Sequence, residues 1–186
     1  DIQGWQPALD RWSFGVGAIL GTMEGGFTLN LKGMFMLELP GPRILIFVKA
    51  QILKVIPEEV KNEENAETAG ILAVIDLDFN LGRLTIGLTF EYKIEKILSL
   101  RIPIESKFSF DNPDNWHLFI GKQSAPATAE ILEIAKGYAF IMISGNGLTL
   151  NKKTGGTLQL QGFSLGFGYG ASLILGDQDS GLYLEV

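Results

Sequence analysis

Hydrophobic and polar residues alternate along most of the chain, in segments of about ten residues that glycine- and proline-rich turns separate. From Trp12 to Leu20 every second residue is apolar, and glycines occupy part of the opposite side. The same alternation runs through Phe27–Leu39, Leu84–Ile94 and Leu98–Phe110. A period of two places successive side chains on opposite faces of a strand, so the pattern predicts long strands rather than helices.

Short turns join most of these segments in sequence order. Pro40-Gly41-Pro42 ends one strand, Asn80-Leu81-Gly82-Arg83 connects two more, and the segment from Asp111 to Asn115 is dense in turn residues. Strands joined by short turns are antiparallel. The predicted class is mainly β: a large antiparallel meander of long strands that forms an open curved sheet, a sandwich or a barrel. Pro103 interrupts one strand and predicts an edge position or a bulge there.

Two segments depart from the strand pattern. Residues 126–136 are rich in Ala, Ile, Leu and Glu, Ser124 could cap their start, and Gly137 stands where a helix would end. The sequence therefore predicts one short helix near 126–136 that covers the sheet. The segment from Pro57 to Thr68 is rich in glutamate and predicts a solvated loop or a short, poorly anchored helix.

A glycine-rich hairpin occurs once near each end of the chain. Its first strand contains Phe14-Gly15-Val16-Gly17-Ala18, and the second copy contains Phe167-Gly168-Tyr169-Gly170-Ala171. The following turns align at an offset of 155 residues and the leading strands at 153, a difference that a bulge would absorb. We interpret residues 1–161 as one β-rich unit. Residues 162–186 then repeat the opening hairpin, either as the start of a second repeat or as the completion of the same sheet.

Composition narrows the function classes. Hydrophobic residues make up 46% of the chain and charged residues 19%, which is typical of an ordered domain. The net charge of −6 argues against a nucleic acid partner, because phosphate binding needs clustered Lys and Arg. The chain has no Cys and one His, which excludes disulfides, thiolate chemistry and a multi-histidine metal site within one chain. We expect no cofactor.

Two polar groupings could carry acid–base chemistry. His117 could pair with Asp111 or Asp114, although a structural or surface histidine is the interpretation we favour. Asp76 and Asp78 share one face of a strand, and there we favour an ordinary solvated face. No G-x-S-x-G motif supplies a nucleophile. The chain is therefore predicted not to be an enzyme.

The turn of the second hairpin contains a candidate metal site. Asp177 and Asp179 alternate in the way that suits a hard cation such as calcium. The later ligands of a calcium loop are missing, and the first copy has Thr22 and Glu24 at the same positions. An ordinary polar turn is the interpretation we favour.

Several stretches resemble a module of very large, repetitive, β-rich bacterial proteins whose function is unknown. They are the run from Phe14 to Leu39 with the Pro40-Gly41-Pro42 that follows it, Asn115-Trp116-His117-Leu118, and Gly121. The resemblance implies a β-rich segment of a long polypeptide and carries no functional residues. The chain begins at Asp1 and ends at Val186 within an apparent strand, which also indicates a piece of a longer protein.

These observations predict a non-enzymatic structural or interaction module, a repeat unit of a larger protein or of a self-assembling array. Its partners would be itself or neighbouring repeats, through strand pairing. An extracellular or cell-surface location is favoured. The predicted interaction residues lie on the second hairpin: Phe167, Tyr169, Leu173, Leu182 and Leu184.

The alternative is a β module that binds lipid or another hydrophobe in an apolar groove, because strands such as Arg43–Ile56 are apolar on both faces. The charged residues at strand centres should then all lie outside the groove: Lys32, Asp76, Asp78, Glu91 and Lys93. Two further alternatives are less favoured. Alternation also fits a membrane β-barrel, against which the predicted helix and the acidic loop argue. Trp12, Trp116 and Tyr183 could stack on sugar rings in a glycan-binding sandwich.

Overall fold

The computed structural model describes residues 9–24, 27–54, 67–132, 134–152, 154–175 and 182–185. These residues form 13 strands. The bounds are β1 Trp12–Glu24, β2 Phe27–Leu39, β3 Arg43–Lys54, β4 Glu67–Asp78, β5 Arg83–Ile94, β6 Leu98–Ser109, β7 Trp116–Ile120, β8 Ala127–Ile131, β9 Ala135–Ser144, β10 Leu148–Asn151, β11 Thr157–Leu160, β12 Ser164–Leu175 and β13 Leu182–Glu185. The predicted acidic loop lies largely outside the described residues.

Eleven of the strands form one antiparallel sheet in the order β1-β2-β3-β4-β5-β6-β7-β9-β12-β13. The short strands β7 and β8 lie end to end between β6 and β9, each pairing with both neighbours. Strands β1 to β6 pair in strict sequence order. Except between β3 and β4, which residues 55–66 connect, each strand is followed by a connection too short for a crossover. The predicted mainly-β antiparallel meander is therefore confirmed.

The prediction of a helix at 126–136 is wrong. Within the described residues this segment is strand β8, a turn and the start of β9, and Leu132 in the turn has a φ of 52°. Alternation explains the outcome, because Ala127, Ala129 and Ile131 share the face that pairs with apolar residues of β6 and β9. Pairing on both sides outweighed the helical preference of the composition.

Pro103 lies in a central strand, so the predicted edge position is wrong. It stands in β6 between the stretch that pairs with β8 and the stretch that pairs with β7. Its carbonyl accepts a hydrogen bond from the Gly121 amide at 2.6 Å. The N–H and C=O of one strand residue point the same way, so the missing N–H of Pro103 faces this gap between two short strands.

A further hairpin, β10–β11, forms a small separate sheet. It lies over the sheet near β9 and encloses the only buried hydrophobic cluster among the described residues: Phe140, Met142 and Leu148. Phe119, Leu150 and Leu160 pack against that cluster. The rest of the large sheet is a single layer in the described part of the chain.

The two similar hairpins lie at opposite edges of the same sheet. Strand β1 begins the strand order and β13 ends it, and β12 joins β13 to β9. Within the described residues β1 pairs with β2 alone, and β13 with β12 alone. The division into a unit of 1–161 and a recurring hairpin of 162–186 stays a prediction.

Candidate functional site

One face of the large sheet is apolar across its whole width, and we call it the apolar face. Direct antiparallel partners share a face, so the register identifies its members row by row. One complete row across nine strands consists of Ala18, Gly33, Val48, Ala73, Leu88, Ile104, Ile120, Ile141 and Phe167. This row contains no polar side chain.

Charged residues are missing from the apolar face wherever the structure describes side chains. By register, Glu24, Lys54 and Glu67 belong to the same side of the sheet, but each is a terminal residue of its strand. Soluble single domains rarely leave an apolar patch of this extent uncovered. Many of its side chains are exposed in the isolated chain: Trp12, Phe14, Val16, Leu20, Ile52, Ile71, Ile131, Leu165, Phe167 and Tyr169.

The predicted interaction residues lie on this face as far as the structure describes them. Phe167 and Tyr169 are strongly exposed and Leu173 is half-buried, all on β12. Leu182 and Leu184 pair with Leu175 and Leu173 by register, and their side chains lie outside the described part. The site is thus the edge of a much larger apolar surface, which the sequence alone did not delimit.

The opposite face, which we call the mixed face, holds all five charged residues that an apolar groove should exclude. Lys32 pairs with Ile19 and Lys49, Asp76 with Leu45, and Glu91 with Arg101. Asp78 lies two residues after Asp76 on β4, and Lys93 two residues after Glu91 on β5, so both lie on the mixed face as well. The apolar face therefore meets the condition set for a hydrophobe-binding groove. A groove on the mixed face, between β1 and β5, does not, because Lys32 and Asp76 line it.

Asp76 and Asp78 each accept hydrogen bonds from other groups. They therefore do not form an acid–base pair, and they are not part of an ordinary solvated face. Asp76 accepts two hydrogen bonds from Arg43, both at 2.8 Å. This interaction raises the pKa of Arg43 despite partial burial. Asp78 is buried, and one of its oxygens accepts the Asn80 and Leu81 amides at 3.0 Å each, which fixes the turn into β5.

A groove of about 1040 Å³ runs along the mixed face between β1 and β5. Apolar side chains of β2 to β4 line it, with the charged Lys32, Arg43 and Asp76 beside them. Its wall on β1 includes Gly15 and Gly17. The apolar lining is Met34, Met36, Leu45, Phe47 and Val74.

The glycines of β12 accommodate aromatic rings of β9. Gly168 pairs with Phe140 and Gly170 with Tyr138 on the mixed face. A Cβ atom at Gly168 would lie 2.5 Å from Cε1 of Phe140, and one at Gly170 would collide with the Tyr138 ring. These glycines are therefore required by the rings that cross them.

His117 lies in a polar cluster on the mixed face, and the suggested pairing with Asp111 or Asp114 is wrong. Its Nε2 lies 3.2 Å from Glu105 Oε1, and Lys122 donates to Glu105 Oε2 at 2.6 Å. The imidazole stacks on Phe119 at a centroid distance of 4.2 Å. Adjacent strands β6 and β7 bring these residues together, whereas the two aspartates belong to the preceding turn.

The cluster borders a cavity of about 220 Å³ that Glu105, Phe119 and Lys122 help to line. Burial lowers the pKa of His117, and Glu105 only partly restores it. Burial alone would raise the pKa of Glu105, but Lys122 and His117 together hold it below its usual value. The groups satisfy one another and leave no activated nucleophile in the described cluster.

Acidification is expected to destabilise the chain through this cluster. His117 and Glu105 both have lowered folded-state pKa values, so the unfolded chain binds more protons as the pH falls. The stabilisation is present above the usual values, near 6.5 for His117 and 4.5 for Glu105, and is lost below them. Urea unfolding between about pH 7 and about pH 4 measures this loss. In His117→Gln the part of the loss near neutral pH should disappear; an unchanged profile would contradict the assignment.

The described residues contain no group of three His, Cys, Asp or Glu side chains that could hold a metal ion. The candidate ligands Asp177 and Asp179 lie outside the described residues. No helix that could cross a membrane occurs in the part of the chain that the structure describes.

Comparison with known proteins gave no match to any family model, curated protein or solved structure. The resemblance to modules of large bacterial proteins therefore stays a prediction.

Proposed function

We propose that the chain is a non-enzymatic structural module that forms one period of a longer antiparallel sheet. The observation that carries this proposal is the position of the two similar hairpins at opposite edges of one sheet. A following unit that began with the second hairpin would add its strands beyond β13. Each unit would then extend the sheet of the one before it, as repeat architectures do.

The open edges support this arrangement. Strand β1 has 13 residues and pairs on one side only among the described strands, so no described strand satisfies its outer amides and carbonyls. No proline interrupts β1, and its central residues carry no charge, so it lacks two common protections of an edge strand. Partners of this module are therefore other copies of it, in the same polypeptide or in another chain.

The test of this proposal is particle mass and shape at rising concentration, by light scattering and negative-stain imaging. We expect mass to increase with concentration and particles to lengthen in one direction, because β1 and β13 each have one strand partner in the described part of the chain. A compact monomer at every concentration would contradict self-assembly of this chain.

Binding of lipid acyl chains is a second candidate function, and the charge-free apolar face favours it. Acyl chains need apolar contact and no directional partner, which is what this face offers over its whole width. Lipid extraction followed by mass spectrometry of the purified protein tests whether acyl chains accompany it.

A matched pair of neighbouring residues on β4 tests the same candidate more sharply. Ile71 lies on the apolar face and is 44% exposed, whereas Leu72 lies on the mixed face and is 37% exposed. We expect Ile71→Lys to weaken binding of a fluorescent fatty acid about tenfold or more, because it places a charge among the acyl chains. Leu72→Lys should change the affinity less than about twofold. Equal effects of both substitutions would contradict lipid binding at the apolar face.

A further inference from the structure

We propose that the outer edge of β1 is the docking site for a β9-type strand of the preceding repeat, in which β1 and β2 of this chain take the place that β12 and β13 have beside β9. Rings equivalent to Phe140 and Tyr138 would then lie over Gly15 and Gly17. This inference rests on the proposed repeat function and specifies its contact. It follows from two observations: β1 and β12 have glycines at equivalent positions, and β9 pairs with β12 beside those glycines.

Strands β1 and β12 have glycines at equivalent positions. Gly15 and Gly17 correspond to Gly168 and Gly170 at the offset of 153 residues. Both pairs lie on the mixed face, because each alternates with apolar-face residues of its own strand. The equivalent strands therefore present the same glycines on the same face of the sheet.

Aromatic rings of β9 lie over the glycines of β12. Strand β9 pairs with β12 in antiparallel register over ten residue pairs, and its Phe140 and Tyr138 stand opposite Gly168 and Gly170. The rings fill the space that side chains at these glycines would need. A strand of the β9 type is thus what this glycine pattern accepts in the present fold.

At β1 no ring of the described residues fills the space beside the equivalent glycines. A Cβ atom at Gly15 would lie 3.5 Å from Met36 Cγ, and one at Gly17 would lie 3.4 Å from the Gly33 carbonyl oxygen. No aromatic ring lies within 4 Å of either position. The two glycines instead line the groove of about 1040 Å³ on the mixed face.

The groove also suits the incoming rings chemically. Met36 pairs with Gly15 and Met34 with Gly17, so each ring would reach a methionine side chain on β2. Sulfur–aromatic contacts are favourable, and methionine adapts its shape to an incoming ring. The docked strand gains backbone hydrogen bonds from the edge and side-chain contacts from the groove.

Titration of the full chain with a labelled peptide of residues 134–145, flanked by lysines for solubility, tests the proposal by fluorescence anisotropy. We expect saturable binding that the double substitution Gly15→Ala and Gly17→Ala weakens about tenfold or more, because the added methyl groups occupy the ring positions. Circular dichroism should show that this variant folds, since the added atoms meet only ordinary contacts within one chain.

Two controls separate this docking site from unspecific adhesion. Gly87→Ala adds a methyl group on an interior strand where nothing lies within 4 Å, and it should leave the affinity within about twofold. A peptide with Tyr138→Ala and Phe140→Ala should fail to compete with the original peptide.

Absence of peptide binding, or binding that the double substitution leaves unchanged, would overturn the proposed docking site. The concentration series of particle mass is independent of this result. Growth of particles without peptide binding at β1 would retain the repeat function and reject the contact proposed here. Peptide binding without particle growth would retain the contact and reject self-assembly of this chain.

Discussion

Replacing Phe140 with alanine is expected to lower the free energy of unfolding by about 3–5 kcal/mol, because the substitution removes the centre of the buried cluster and leaves a cavity. Phe140 is 8% exposed, between Gly168 on the neighbouring strand and the β10–β11 hairpin. Domains of this size are stable by about 5–15 kcal/mol in total. The loss would therefore be a large fraction of the stability of the chain.

The matched control is Tyr169→Ala on the adjacent strand. Tyr169 is 81% exposed on the apolar face, so its removal from the isolated chain should change stability by less than about 0.5 kcal/mol. Urea unfolding at a concentration where the chain is not assembled measures both values. Similar losses from the two substitutions would show that the buried cluster does not hold the fold together.

Replacing Gly147 with alanine is the second substitution with a large expected effect, about 2–4 kcal/mol of destabilisation. Gly147 has a φ of 85°, and its amide donates to the Gly162 carbonyl oxygen at 2.6 Å. A side chain there would also collide with the carbonyl oxygen of Leu160. The hairpin β10–β11 would be displaced from the cluster that it covers.

Gly155→Ala separates backbone strain from collision. Gly155 has a similar φ of 87°, but nothing lies within 4 Å of its added Cβ atom. It should cost only the strain of the left-handed conformation, about 1–2 kcal/mol. Thermal unfolding followed by circular dichroism compares the two variants. A Gly155→Ala variant as unstable as Gly147→Ala would exclude the contact with Leu160 as the cause.

Alternation and turn residues were sufficient to predict the meander. The strand Phe27–Leu39 was predicted with the bounds that the structure shows, because its period of two runs unbroken from a glycine turn to Pro40-Gly41-Pro42. A strand that pairs on both sides with its sequence neighbours needs no information from distant parts of the chain.

Local sequence was not sufficient to predict the strand within residues 126–136 or the partner of His117. Ala127–Ile131 contains good helix formers, and only its pairing with β6 and β9 makes it a strand. The partner of His117 is likewise set by the pairing of β6 with β7. The register also determined that alternating residues of nine strands combine into one apolar face, which no single segment reveals.

Amide hydrogen exchange of β1 is the most direct test of the claim that the sheet continues from one copy to the next. The outward amides of β1 lack a strand partner in the described chain, so they should exchange fast at low concentration. We predict that their protection increases together with particle mass, since a neighbouring strand then pairs with them. Assemblies that grow while the β1 amides stay unprotected would contradict edge-to-edge extension of the sheet.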